Sequence, residues 1–205
     1  CLILKQSLHP AFLLSLYEDD RPQDIVADGR MDENKNQRMA IRAFCKIAEQ
    51  FPDARLILYG DGPLRRELTE EVRSLDMSER ILLPGRITDV PEKLEKAYAF
   101  VLTSFTEGMP NTLIEAMSLG TACISTDCPC GGPKDLIRDG ENGFLVPVDD
   151  SDALADRLTR LLENPDLMQQ MGKNAAKLQA EYLPEKVNQE WADYFRKVAG
   201  KKKLV

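Results

Sequence analysis

The chain has 205 residues, of which 43% are hydrophobic and 30% charged, and a formal net charge of −7. That is enough chain for one well-buried domain with appendages, and the composition is that of a soluble globular protein. No apolar run approaches the ~20 residues of a membrane span, the opening residues do not read as a signal peptide, and the acidic balance argues against general nucleic-acid binding. An anionic ligand would have to be met by local cations and backbone amides.

The chain opens at Cys1 without a methionine and reads as a fragment or an excised domain. Residues 1–22 hold apolar pieces broken by His9-Pro10, then an acidic turn ending at Pro22. They read as the tail of a preceding segment, with His9 a linker residue. From Asp24 the pattern alternates between buried strands and amphipathic helices. Strands are expected over 25–27, 55–59, 81–83, 99–102, 122–125 and 144–146. Helices are expected over 37–51, 63–75, 90–96, 112–119 and 133–137. Repeated βα units of this length predict an α/β, Rossmann-like doubly wound parallel sheet with helices on both faces. Extra helices follow over 151–162, capped by Ser151 or Asp152, then over 167–181 and 185–198. Trp191, Tyr194 and Phe195 put aromatic surface on the last of these; burial against this domain is the expectation. Lys201 to Lys203 begin a short basic tail, a solvated end or a weak membrane-surface contact.

Five cysteines, an odd count, show no disulfide-scaffold spacing. Cys45 falls in a helical pattern and Cys123 in a strand, where cysteine acts as a small hydrophobe. Cys128-Pro-Cys130 is the only close pair, and the lone His9 is remote from it, so no metal site is expected. Reduced thiols in a cytosol fit this usage.

The stretch Glu107-Gly-Met-Pro-Asn-Thr-Leu-Ile-Glu115 sets two carboxylates seven residues apart, across a loop and the start of a helix. On a helical wheel Leu113, Ile114 and Met117 share one side, and Asn111, Glu115 and Ser118 the other. The second side would face a cleft, with Glu107 at its mouth, Glu115 one turn inside, and the unpaired amides of the first turn between them. That arrangement suits a ligand with an anionic middle and hydroxyls at both ends. An ordinary amphipathic helix with two solvated glutamates is the alternative.

The run from Glu107 to Gly120 resembles the E-x7-E signature of retaining glycosyltransferases of the two-domain GT-B fold. Glycosyltransferase family 4, in the form that makes bacterial surface polysaccharides, is the nearest pattern. Residues 25–162 follow that family's nucleotide-sugar-binding half in order. The resemblance implies a linker from an N-terminal acceptor domain over 1–22, a donor domain over 23–165 and C-terminal helices over 166–200, the last crossing back to the other domain, which would leave part of its aromatic surface exposed here. It leaves 201–205 as the basic tail.

Ligands of doubly wound sheets bind beyond the carboxyl ends of the strands. There, Gly29-Arg30-Met-Asp-Glu-Asn-Lys35 resembles the family's G-R-x4-K loop. Arg30 offers a planar fork and Lys35 a mobile charge, which together can neutralise a diphosphate leaving group as the sugar–oxygen bond breaks. Surface pairing with Asp32 and Glu33 is the alternative. Gly60-Asp-Gly62-Pro63 matches the family's G-D-G-P, its glycines permitting close backbone approach. Backbone around Arg86 and Ile87 lies along the nucleobase in the family, uridine being its commonest base. Thr126 to Lys134 could give amides to a sugar or phosphate, or be only a tight connection.

The resemblance thus assigns Glu107 to the hydroxyls of the transferred sugar and Glu115 to the ribose. Amides of Gly108, Met109, Pro110, Asn111 and Thr112 (Pro110 by its place in the turn) belong with Arg30 and Lys35 on the diphosphate. No metal or other cofactor is implied. The implied partners are a nucleotide-sugar donor and a glycan or lipid-linked acceptor held by the N-terminal domain. The implied location is the cytoplasm, with possible peripheral membrane association of the full-length enzyme at the inner face. This part alone is expected to bind nucleotide weakly and to transfer no sugar. An epimerase or hydrolase on the same fold, or a non-enzymatic doubly wound module, are the rival readings.

Overall fold

The computed structural model describes residues 21–201, with side chains through residue 199. The expected linker over 1–22 therefore lies outside the described residues except for Arg21 and Pro22, and the basic tail except for the backbone of Lys201. Six strands form one sheet: β1 (Asp24–Asp28), β2 (Arg55–Tyr59), β3 (Ile81–Gly85), β4 (Ala99–Leu102), β5 (Ala122–Thr126) and β6 (Phe144–Val146). All pairs are parallel, in the order β3-β2-β1-β4-β5-β6. The helices are α1 (Gln37–Ile47), α2 (Arg65–Ser74), α3 (Val90–Lys96), α4 (Asn111–Ser118), α5 (Gly132–Leu136), α6 (Ser151–Leu162), α7 (Pro165–Ala176) and α8 (Pro184–Lys201).

The two-residue period of each strand sorts its side chains into two cores. Ile25, Leu56, Leu58, Ala99, Val101 and Ile124 pack beneath α1, α2 and α6. Val26, Ile57, Phe100, Leu102 and Cys123 face the other way, beneath α3 and α4, and α7 reaches both cores, through Met168 and Met171 on the first and Ala175 on the second. Strands buried on both faces need nearly unbroken apolar runs, as Ala99–Leu102 supplies. The sheet order reverses between β1 and β4, the place where doubly wound sheets form a ligand crevice at the carboxyl ends of their strands.

Several ends differ from expectation for local reasons. Asp150, not Ser151 or Asp152, caps α6 by accepting from Asp152 and Ala153 N–H, and Asn164 caps α7 through Leu167 N–H. The helix expected over 167–181 is α7 from Pro165, followed by a 3₁₀ turn at Lys177–Glu181. Ser118, expected on the cleft side of α4, is fully buried. The aromatic surface of α8 is not buried as expected: Trp191 and Tyr194 are partly exposed, and Phe195, 5.4 Å from Trp191 between ring centres, is 58% exposed. Among the described residues, no helix is long and apolar enough to cross a membrane.

Candidate active site at the switch point

The loop after β1 is locked from below by its own methionine. Met31 is fully buried; its N–H donates to Asp61 O (3.0 Å) and its carbonyl accepts from Leu64 N–H (3.1 Å). A 3₁₀ turn at Glu33–Lys35 follows, capped by Asp32. Asn36 then takes a left-handed conformation (φ 46°) and starts α1, its amide donating to Asp149 Oδ1 at 3.0 Å. This path sends the Lys35 side chain across the crevice toward the loop after β4.

There Lys35 Nζ lies 2.6 Å from Glu107 Oε1, and the same oxygen accepts from Ser104 Oγ at 2.6 Å. Both charged side chains are largely enclosed, which strengthens the pair relative to one at the surface. Ser104 is fully buried, and its carbonyl accepts from Thr126 Oγ1 at 2.7 Å, tying the loop after β4 to the end of β5. Asp28, the last residue of β1, sits beside them. Burial raises its pKa, while the Lys35 charge and a hydrogen bond from Thr112 pull it back.

Glu115 lies one turn inside α4 and is half-buried. Desolvation, reinforced by the Asp28 carboxylate, raises its pKa from 4.5 to about 7. Pro110 occupies the N-cap of α4 and supplies no side-chain acceptor. The first turn of α4 therefore presents backbone N–H groups and the positive end of a helix dipole to the crevice.

The structure thus brings Lys35, Glu107, Glu115 and Thr112 to one place, together with Asp28 and Ser104. Arg30 is different. Its side chain is 73% exposed and leans toward Asp32 at 3.6 Å, one of the surface pairings weighed above. It lines a neighbouring cleft of about 480 Å³ with Asp28, Gly29, Gly60, Asp61, Gly62 and Arg86. Arg86 is exposed there, and Ile87 packs against the second core. Met109 is half-buried with its sulfur 3.9 Å from Tyr182 Oη, Pro110 is buried, and Gly108 and Asn111 are exposed.

The glycines divide by what surrounds them. A Cβ on Gly60 would lie 1.9 Å from Gly29 O, and one on Gly62 2.3 Å from Met31 O, so both let two protein loops touch. Gly132 likewise packs on Gly108 O, at 1.8 Å from a built Cβ, and Glu107 N–H donates to Pro129 O at 3.3 Å. The loop after β5 thereby braces the Glu107 loop. A Cβ on Gly108 would meet nothing within 4 Å. The protein itself makes no demand for glycine at that position.

Asp28 and Ser104 are functional candidates that sequence reasoning passed over. Asp28 was findable as an ionisable residue closing an apolar strand just before Gly29; Ser104 carried no signal, because its bond to Glu107 depends on how the loop folds. Among the described residues, no group of three or more His, Cys, Asp or Glu is placed to hold a metal ion.

The sheet order defines a doubly wound α/β domain, and the charged cluster at its reversal is the candidate site. The chain belongs to the family described as glycosyl transferases group 1, whose profile matches residues 15–178. It is 34% identical over 164 residues to a Campylobacter jejuni α-1,4-N-acetyl-D-galactosaminyltransferase, covering 80% of this chain and 45% of that protein. Among solved structures it resembles the C-terminal domain of a group 1 family glycosyl transferase, LpcC, from Francisella tularensis. The identity is 26% and the TM-score 0.72, with 78% of this chain and 86% of that one covered. It also shares the fold of Anabaena HepE, solved with UDP, at a TM-score of 0.80 and 22% identity, over 86% of this chain and 49% of the other. The chain spans about half the length of the C. jejuni protein and of similar curated relatives.

Proposed function

We propose that this chain is the donor-binding half of a retaining glycosyltransferase. The whole enzyme would move a hexose from a nucleotide-diphosphate sugar, with uridine as the base, to a glycan or lipid-linked acceptor in polysaccharide biosynthesis. It would work in the cytoplasm, at the inner face of the membrane. The observation that carries this reading is the Lys35–Glu107 pair, held beside Asp28 at the crevice, with the uncapped start of α4 leading from it to Glu115.

Glu115 takes the ribose diol, and the α4 amides face the diphosphate. An arriving diphosphate competes with Glu107 for Lys35. The exchange leaves Lys35 on the leaving group and frees the Glu107 carboxylate for the hydroxyls of the sugar. Arg30 swings in from the rim of the adjoining cleft, with little lost in leaving an exposed partner. As the C1–O bond breaks, its electron pair goes to the diphosphate, where the fixed positive charges stabilise the transition state more than the ground state. The acceptor oxygen bonds C1 on the same face and yields its proton to the departing phosphate oxygen. No metal is invoked; Lys35, Arg30 and the helix amides meet the charge. The C. jejuni relative is named for transfer of N-acetylgalactosamine to a diphospho-undecaprenol-linked glycan, which supports the acceptor class.

Calorimetric titration of the chain with UDP tests the site. Wild type should bind, Glu115→Ala should lose at least tenfold in affinity, and Arg30→Ala should lose severalfold and more of its affinity as salt is lowered. Unchanged binding in both variants would show that the nucleotide lies elsewhere.

A further inference from the structure

The Glu33–Lys35 turn and the loop after β4 are joined by a set of hydrogen bonds centred on Asn34. Its Oδ1 accepts from Thr106 N–H at 3.1 Å and from Thr106 Oγ1 at 2.7 Å, and its Nδ2 donates to Thr106 O at 3.0 Å. The Asn34 carbonyl accepts from Phe105 N–H at 2.8 Å, and the Lys35 carbonyl accepts from Thr103 Oγ1 at 2.9 Å. One amide side chain thus satisfies both backbone groups of Thr106 as a neighbouring strand would. The residues that carry the Lys35 and Glu107 side chains are the immediate neighbours of the residues so joined.

We propose that Asn34 is a positioning residue for the reaction, setting the separation between the cation that grips the diphosphate and the carboxylate that grips the transferred sugar. The inference rests on the reading of the site given above. Asn34 touches neither phosphate nor sugar; it acts through Glu107. With both backbones fixed, donor binding reorganises only the two side chains of the Lys35–Glu107 pair. Without the bridge, the Glu107 loop would have to be ordered at each binding event, and that cost falls on the sugar-bearing donor. Asn34 therefore governs the preference for UDP-glucose over UDP, a property that a loss of overall fold stability would not move.

The test measures UDP and UDP-glucose affinities for the wild-type chain, Asn34→Ala, Glu107→Gln and the double variant. Asn34→Ala should lose about tenfold in UDP-glucose affinity and less than about threefold for UDP. In the Glu107→Gln background, the same change should leave the ratio of the two affinities where Glu107→Gln put it. Asn34→Asp, which keeps the acceptor and loses the donor, should fall between wild type and alanine; it also decides the matter if the alanine variant fails to fold. A wild-type chain that binds both nucleotides with a ratio unchanged by either Asn34 substitution overturns this inference alone. A wild-type chain that binds neither overturns the proposed site, and this inference with it.

Discussion

Gly60→Ala should lower the melting temperature by about 10 °C, the loss corresponding to about 3–5 kcal/mol in a chain of this size. Two independent terms produce it. The backbone at Gly60 has φ +116°, which an L-residue adopts only with strain, and the new methyl would stand 1.9 Å from Gly29 O, an atom that cannot rotate away. Gly29 begins the loop that delivers Lys35, so the displacement should also abolish detectable UDP binding. Gly108→Ala is the control. Its φ is not in the left-handed region and its Cβ meets nothing within 4 Å, so its melting temperature should match or slightly exceed that of wild type. If donor phosphates pass over this residue, UDP affinity should nevertheless drop. Differential scanning calorimetry with a parallel UDP titration separates the two behaviours. Equal stability losses in both variants would contradict this account.

Glu115→Gln should stabilise the protein at pH 8 and do almost nothing for it at pH 4, below the unfolded pKa. The sign follows from the direction of the shift. An unfolded Glu115 ionises near 4.5, whereas the folded one keeps its proton until about 7, because burial and the neighbouring Asp28 disfavour its charge. The folded state is thus unpenalised below the unfolded pKa. It loses stability as pH rises from 4.5 to 7, and the loss is constant above that. Glutamine, neutral throughout, removes a penalty on the order of 1–2 kcal/mol once screening by water in the open crevice is counted. The same proton reports on binding. Hydroxyl donors from a ribose favour the carboxylate, so UDP-glucose, whose diphosphate has no titration near neutrality, should bind more tightly between pH 6 and pH 8 and release a proton at the lower end. In Glu115→Gln both the pH dependence and the proton release should vanish. Calorimetry in two buffers of different ionisation enthalpy checks this, and a wild-type affinity flat across that range would refute it.

The order of strands and helices was legible because each carries its own punctuation. Ala99 to Leu102 is an unbroken apolar run, Pro91 and Pro133 sit in first helical turns, and Gly29, Gly60 and Gly85 close the first three strands. Boundaries shifted where a side chain chose the cap: Asp150 and Asn164 outcompeted their neighbours through bonds to N–H groups two and three residues on. Lys35, Glu107 and Glu115 could be picked out because each stands in a short stretch of recognisable residue types at fixed spacing. What holds them could not. The bonds of Asn34 to Thr106 span 72 positions, and Ser104 meets Glu107 only because the loop after β4 turns back on itself. The glycines of the β2–α2 turn promise close backbone approach by their type alone. What approaches is Gly29 and Met31, which needs the second loop in view. Ser118 falls on the polar side of its helix by period alone, yet α4 is covered by α3, α7 and the 3₁₀ turn at Lys177–Glu181, and the serine is enclosed with no hydrogen-bond partner for its hydroxyl.

The ring cluster of α8 leaves the chain with a built-in optical gauge. Its single tryptophan, Trp191, stands beside Phe195 at the partly wetted surface and far in sequence from every residue of the crevice. Emission from that indole follows the polarity around α8, moving toward shorter wavelength when something dry settles over the rings, while events at Lys35 and Glu107 contribute no chromophore of their own to the signal.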